Sequence, residues 1–171
     1  MYAYFKVELD QYHQLNEFDL TVLTNAQLSA LSQKRAFEGI LVLAHEGSPD
    51  IQICDEIEAW VQNLCFDSIP QMLARQPHQI LYFSRPGFIR IDPEGESVRI
   101  SGDSIPTVQL PILSLARALF NCGDRFLKWA GAVKESDDSY LANLNYIAEY
   151  RQPALNALKD AGRTLTSAIA S

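Results

Sequence analysis

A chain of 171 residues suits one domain with one core, and a composition of 47% hydrophobic and 20% charged residues excludes a disordered chain or a fibrous repeat. No apolar run approaches the ~20 residues of a membrane helix, and the start, MYAYFKVELD, lacks a basic stretch followed by an apolar one, so a cytoplasmic protein is expected. The net charge of −7 argues against nucleic acid and anionic membrane as partners and steers basic ones.

That charge is unevenly placed: up to Arg75 eleven acids face four bases, and beyond it ten face ten. Cys54, Cys65 and Cys122 are odd in number and widely spaced, which predicts reduced, mostly buried thiols.

Residues 2–9 alternate Ala3, Phe5, Val7 and Leu9 with Tyr2, Tyr4, Lys6 and Glu8, predicting a first strand. After the polar stretch DQYHQLNE, Phe18, Leu20 and Val22 alternate again. Thr24-Asn25-Ala26-Gln27 then fits a capping box ahead of a short helix to about Lys34. The continuous run Ile40–Ala44 reads as a strand covered on both faces, near a sheet's middle, and Gly47-Ser48-Pro49-Asp50 turns the chain.

Ile57, Trp60, Val61, Leu64, Cys65 and Met72 recur at helical spacing, so a helix is expected from about Asp55 to Arg75. Asp55, Glu56 and Glu58 would then sit at its positive N-terminal end. Pro70 interrupts that span, and Asp67 or Ser68 could cap a second, shorter helix. Residues 79–101 are the clearest stretch: three short apolar-rich runs separated by Pro86-Gly87 and by Asp92-Pro93-Glu94-Gly95 predict an antiparallel meander.

Ser101 to Pro106 reads as a loop leaving the sheet. Pro111 suits a first helical turn, and Ile112 through Ala130 mark one apolar stripe, with Gly123 placed for close approach to another backbone. A polar cap in GAVKESDDS and the spacing from Leu141 to Leu165 predict a last long helix divided at Pro153, with TLTSAIAS fraying. The fold expected is α+β: a single domain over 1–171, an antiparallel sheet with a central three-strand meander, helices packed on one face, and two long C-terminal helices. A helical subdomain over 105–171 would share the same core.

Cofactor, phosphate and zinc motifs are absent from the sequence, so no cofactor and no metal site is expected. His13, His45 and His78 lie far apart. Cys122, between Asn121 and Gly123-Asp124-Arg125, is the most tempting nucleophile, but a position in mid-helix favours a packed core thiol. His45-Glu46 could be an acid/base pair, although adjacent strand residues face opposite ways. Arg85, Arg90 and Arg99 on the meander are spread among three acids, Asp92, Glu94 and Glu96, which makes a poor single-strand binder.

The helix through Asn63-Leu64-Cys65, Ile69 and Leu73, the YFSRPGFIRI hairpin, the GESVRISGD return strand and the helix from Leu113 to Leu127 together resemble small acidic immunity proteins of bacterial polymorphic-toxin and contact-dependent inhibition systems. The resemblance covers the layout of residues 39–130 and has no catalytic signature. It implies a non-enzymatic protein that binds a basic toxin domain and blocks its active site, with Asp50, Asp55, Glu56 and Glu58 on the docking surface. Two other readings stay open at this stage. One is a small enzyme or ligand-binding domain with a pocket between sheet and helices, using Cys122, His45 or His78; the other is a structural subunit of a homo-oligomer.

Overall fold

Alternation at the start of the chain produces β1 (Tyr2–Asp10), whose Ala3, Phe5 and Val7 are at most 1% exposed. The computed structural model describes residues 1–47 and 49–169, and the side chains of all of these except 20, 21 and 164–169. β1 pairs antiparallel with β2 (His13–Asn16) on one side and β3 (Glu38–Ala44) on the other, and β4 (Ile51–Glu56) pairs with the far edge of β3. The order is β2-β1-β3-β4, so β3 is interior, and its residues Ile40 to Leu43 are buried on both faces as the unbroken apolar run predicts.

β2 lies in a stretch that reads as merely polar. Its turn is held by Asp10, whose Oδ1 accepts from the N–H groups of Tyr12 (2.8 Å) and His13 (3.0 Å), so a carboxylate rather than an apolar pattern specifies it. The alternation at Phe18–Val22 does not make a strand: Asp19–Val22 is a 3₁₀ turn. Thr24 and Gln27 form the expected reciprocal cap of α1 (Asn25–Ser32). The turn expected at Gly47–Asp50 includes Ser48, which lies outside the described residues.

The helix expected from Asp55 begins later. Asp55 and Glu56 end β4, and the helical run is α2 (Ile57–Trp60), a π-helical segment (Val61–Asp67) and α3 (Ser68–Leu73) in direct succession. Neither Asp67 nor Ser68 caps through its side chain; the Ser68 hydroxyl instead donates to Leu64 O at 2.7 Å. Pro70 sits within α3, just past the wider π turns.

The meander forms as β5 (His78–Leu81), β6 (Phe88–Glu94) and β7 (Ser97–Gly102), but it belongs to a second sheet with a fourth strand, β8 (Ile105–Pro111), in the order β5-β6-β7-β8. Strands expected in one sheet are therefore in two. β8 carries Pro106 and Pro111, which hide it from a strand pattern; at a sheet edge a residue need not donate outward, and proline is tolerated.

α4 (Ile112–Val133) packs against β1 and the π segment, and α5 (Asp138–Glu149) and α6 (Arg151–Ile169) divide at Tyr150, close to Pro153. The tail expected to fray has its last two residues, and all side chains from 164 on, outside the description. Arg125 ties α4 to the first sheet, with Nε donating to Glu17 Oε1 (2.8 Å) and Nη2 to Ala3 O (2.7 Å). Buried residues of both sheets and the helices form one continuous cluster. Gly123 does face a close neighbour, though not a backbone: an added Cβ would lie 2.7 Å from Phe66 Cζ and 2.9 Å from Cys65 Cβ on the π segment.

Gly39 is the tighter constraint, because a Cβ there would meet the Lys6 carbonyl oxygen at 2.0 Å and Ile57 Cδ1 at 2.7 Å. A backbone carbonyl held in a ladder cannot yield as a side chain can. Gly39→Ala is expected to lower stability by about 3 kcal/mol in denaturant unfolding, against about 1 kcal/mol or less for an exposed substitution such as Gln14→Ala.

Candidate functional site

Of the four carboxylates expected on a docking surface, two point inward. Asp55 occupies an inward position of β4 and is only 7% exposed. Its oxygens accept from the N–H groups of Glu56 (2.8 Å), Phe83 (2.6 Å) and Ser84 (2.9 Å). Burial alone would raise this carboxyl, but the Ser84 hydroxyl and those three N–H groups outweigh it and hold Asp55 below the usual aspartate range. Asp55 thereby clasps the edge of the first sheet to the β5–β6 loop of the second.

Glu58, 3% exposed, makes the matching clasp between the first sheet and the C-terminal helices. Its Oε1 and Oε2 accept from Phe37 N–H at 3.0 and 3.1 Å, and Oε1 also accepts from the Tyr140 hydroxyl on α5. Burial pushes the Glu58 carboxyl up despite these donors, and burial together with Glu58 pushes the Tyr140 hydroxyl up. Beside them Lys134 is buried, with Nζ donating to Ser32 O (2.7 Å) and Lys34 O and lying 5.0 Å from the Tyr140 ring centre. The expectation that Asp50, Asp55, Glu56 and Glu58 share one outward surface is therefore corrected. Only Asp50, exposed ahead of β4, and Glu56, half-buried at its end, remain accessible.

What the structure does bring together is a different set of acids. β3 and β4 place Glu38 directly opposite Glu56, and Glu8 on β1 follows the Val7–Gly39 pair at the same end of the sheet. A cleft of about 690 Å³ opens there, lined by Lys34, Arg35, Glu38, Glu56, Glu58, Phe83, Tyr140 and Asn143. Glu8, Glu38, Asp55 and Arg85 line a second cleft of about 260 Å³ that shares Glu38 with the first. Among the described residues neither Glu8, Glu38 nor Glu56 has an ion-pair partner. Burial raises the Glu56 carboxyl, and the charges of Asp55 and Glu38 raise it further, against a smaller opposing pull from Arg35. At the lip of the large cleft the Phe83 ring is 70% exposed.

The residues of the enzyme reading are arranged otherwise. Cys122 is fully buried beside Cys65, and a hydrogen bond from its own S–H to that neighbour together with burial pushes its thiol up, the reverse of what a nucleophile needs. His45 follows β3, while His78 opens β5 with Nδ1 3.2 Å from Gln76 O. Of the meander arginines, Arg90 pairs with Asp92 (2.9 Å) and Arg99 with Asp92 (3.4 Å) and Glu94 (3.1 Å), while Arg85 lies over the Tyr82 ring, 4.0 Å from its centre. Among the described residues no group of three or more His, Cys, Asp or Glu is placed to hold a metal ion, and no helix is long and apolar enough to cross a membrane.

Glu38 and Phe83 escaped the sequence reading. Glu38 gains meaning only through its register with Glu56, and Phe83 only through its exposure, because Ile80, Leu81, Tyr82 and Phe83 are all apolar and their alternation does not say which face is covered. No known protein family matches the chain, and neither a curated protein nor a solved structure does.

The Glu58 clasp gives a pH signature. A carboxyl raised in the folded state binds its proton more tightly there than in the unfolded chain, so it lowers stability as pH rises from the ordinary glutamate value through the raised one. Glu58→Gln keeps an acceptor and should remove this downward contribution, with stability within about 1 kcal/mol of the parent at low pH. Glu58→Ala strands the Phe37 N–H and the Tyr140 hydroxyl and should cost about 3 kcal/mol. Denaturant unfolding between acid and neutral pH checks both.

Proposed function

We propose that this chain is a non-enzymatic binding protein that receives a basic protein partner at the Glu38–Glu56 end of the first sheet, in the manner of an immunity protein that covers a toxin domain. The observation behind this reading is the opposition of Glu38 and Glu56 with no cation among the described residues bonded to either. Like charges directly across a strand pair destabilise a sheet. Such a pair is relieved when an arginine or lysine from outside enters between its members, and Glu8 extends the same row.

Phe83 supplies the other half of a docking surface. An exposed ring beside a charged cleft offers the kind of aromatic anchor on which binding energy concentrates, while the carboxylates set orientation and association rate. Asp55 and Glu58 then act from behind: one fixes the loop bearing Phe83, the other fixes the floor of the cleft.

Two measurements test the reading. Glu38→Gln should raise stability by about 0.2–1 kcal/mol, because it ends the like-charge opposition. The tagged chain should capture from its own cells a basic protein that is released as ionic strength rises, and the double substitution Glu38→Lys, Glu56→Lys should lose it. Capture that ignores both salt and the double substitution would refute the charged docking surface.

A further inference from the structure

β5 is the outer strand of the second sheet, and its pairing shows which backbone groups face outward. Tyr82 N–H donates to Gly87 O at 3.2 Å, so that pair is hydrogen-bonded; by alternation along the ladder Ile80–Ile89 and His78–Ile91 are bonded too. Gln79, Leu81 and Phe83 therefore turn their N–H and C=O groups away from β6. The outward N–H of Phe83 is already taken by Asp55, as this alternation requires. Gln79 and Leu81 keep theirs open.

Native edges are usually protected by lysine, proline, a bulge or a covering element. His78-Gln79-Ile80-Leu81 has none of these residues, and its Leu81 side chain is 68% exposed. The strand lines a cleft of about 320 Å³ whose opposite wall is polar: Asn63 and Asp67 of the π segment and Gln71 of α3. His78 adds a directional demand. Its Nδ1 faces the Gln76 carbonyl, which can only accept, so in the neutral ring Nδ1 carries the proton and Nε2 the lone pair; that atom is buried and without a hydrogen-bond partner. It calls for a donor.

We infer that the open edge of β5 is a docking groove for an extended, lysine- or arginine-bearing segment of a protein partner, which adds as a fifth strand along Gln79–Leu81 with its side chains against Asn63, Asp67 and Gln71. The backbone supplies affinity and the polar wall supplies selectivity, as in other strand-addition complexes. The charge of the occupant follows from Asp67 in this cleft and from Phe83, which lines both this cleft and the one that carries the opposed Glu38 and Glu56. A second copy of the chain is a poorer occupant, since it would bring its own Asp67 and a net charge of −7 to the same place. The inference rests on the proposed function for the sign of the partner's charge, and on the β5 ladder for its mode.

A random peptide library displayed on phage and selected on the full chain tests it, with Leu81→Pro as the counter-selection. Proline there deletes one outward N–H and leaves the β6 ladder whole. If that variant does not fold, Leu81→Lys replaces it, an exposed substitution that charges the edge against a basic segment. Enriched peptides should carry lysine or arginine at alternating positions, should slow amide exchange at Gln79 and Leu81, and should bind either variant at least about tenfold more weakly. Equal binding to parent and variant, or no enrichment, overturns the groove, and so does a parent dimer that Leu81→Lys converts to monomer. If the groove fails while Glu38→Lys, Glu56→Lys still loses the captured basic protein, the proposed function stands without it.

Discussion

A carboxylate taken out of water must be met by donors, and two such carboxylates fix how the parts of this fold sit together. Asp55 collects three N–H groups from its own strand end and from the loop after β5, so the edge of one sheet is fastened to the end of the other. Glu58, one helical step further on, collects the Phe37 N–H and the Tyr140 hydroxyl and fastens the entry to β3 to α5. Each replaces hydration with several aimed bonds, which is the condition for burying an ionisable group at all.

Those clasps also give the surface its chemistry. The segment Asp55-Glu56-Ile57-Glu58 changes from strand to helix, so its acids cannot share a direction: Asp55 and Glu58 turn inward and Glu56 remains at the rim opposite Glu38. The same passage that locks two sheets and a helix together thus leaves a like-charge pair at the mouth of a cleft. Local conflict of this kind, in a chain otherwise consistent from pattern to packing, is where function is to be sought.

Much of the architecture was legible because single periods ran uninterrupted. The apolar run of β3, the two turns of the meander, the Thr24–Gln27 cap and the stripe of α4 each point to one structure. β4 was hidden because Ile57 serves two patterns: it continues the alternation of Ile51 and Ile53 and also begins the helical spacing to Trp60 and Val61. The acids crowded there resemble a helix start, while the inward aspartate breaks the polar-out rule for a strand. β2 and β8 were masked by polar residues and by prolines that an edge strand accommodates. The candidate site was less legible still, since Glu38 and Glu56 stand 18 positions apart and only the β3–β4 register opposes them.

Carbon-13 NMR titration of the side-chain carboxyls tests the division between clasped and unclasped acids directly. The structure requires Asp55 to titrate below the ordinary aspartate value and Glu56 above the ordinary glutamate value, with Glu56 moving down when Glu38 is replaced by glutamine. If Asp55 and Glu56 both titrate at their ordinary values, neither the buried clasp nor the unrelieved pair exists as described.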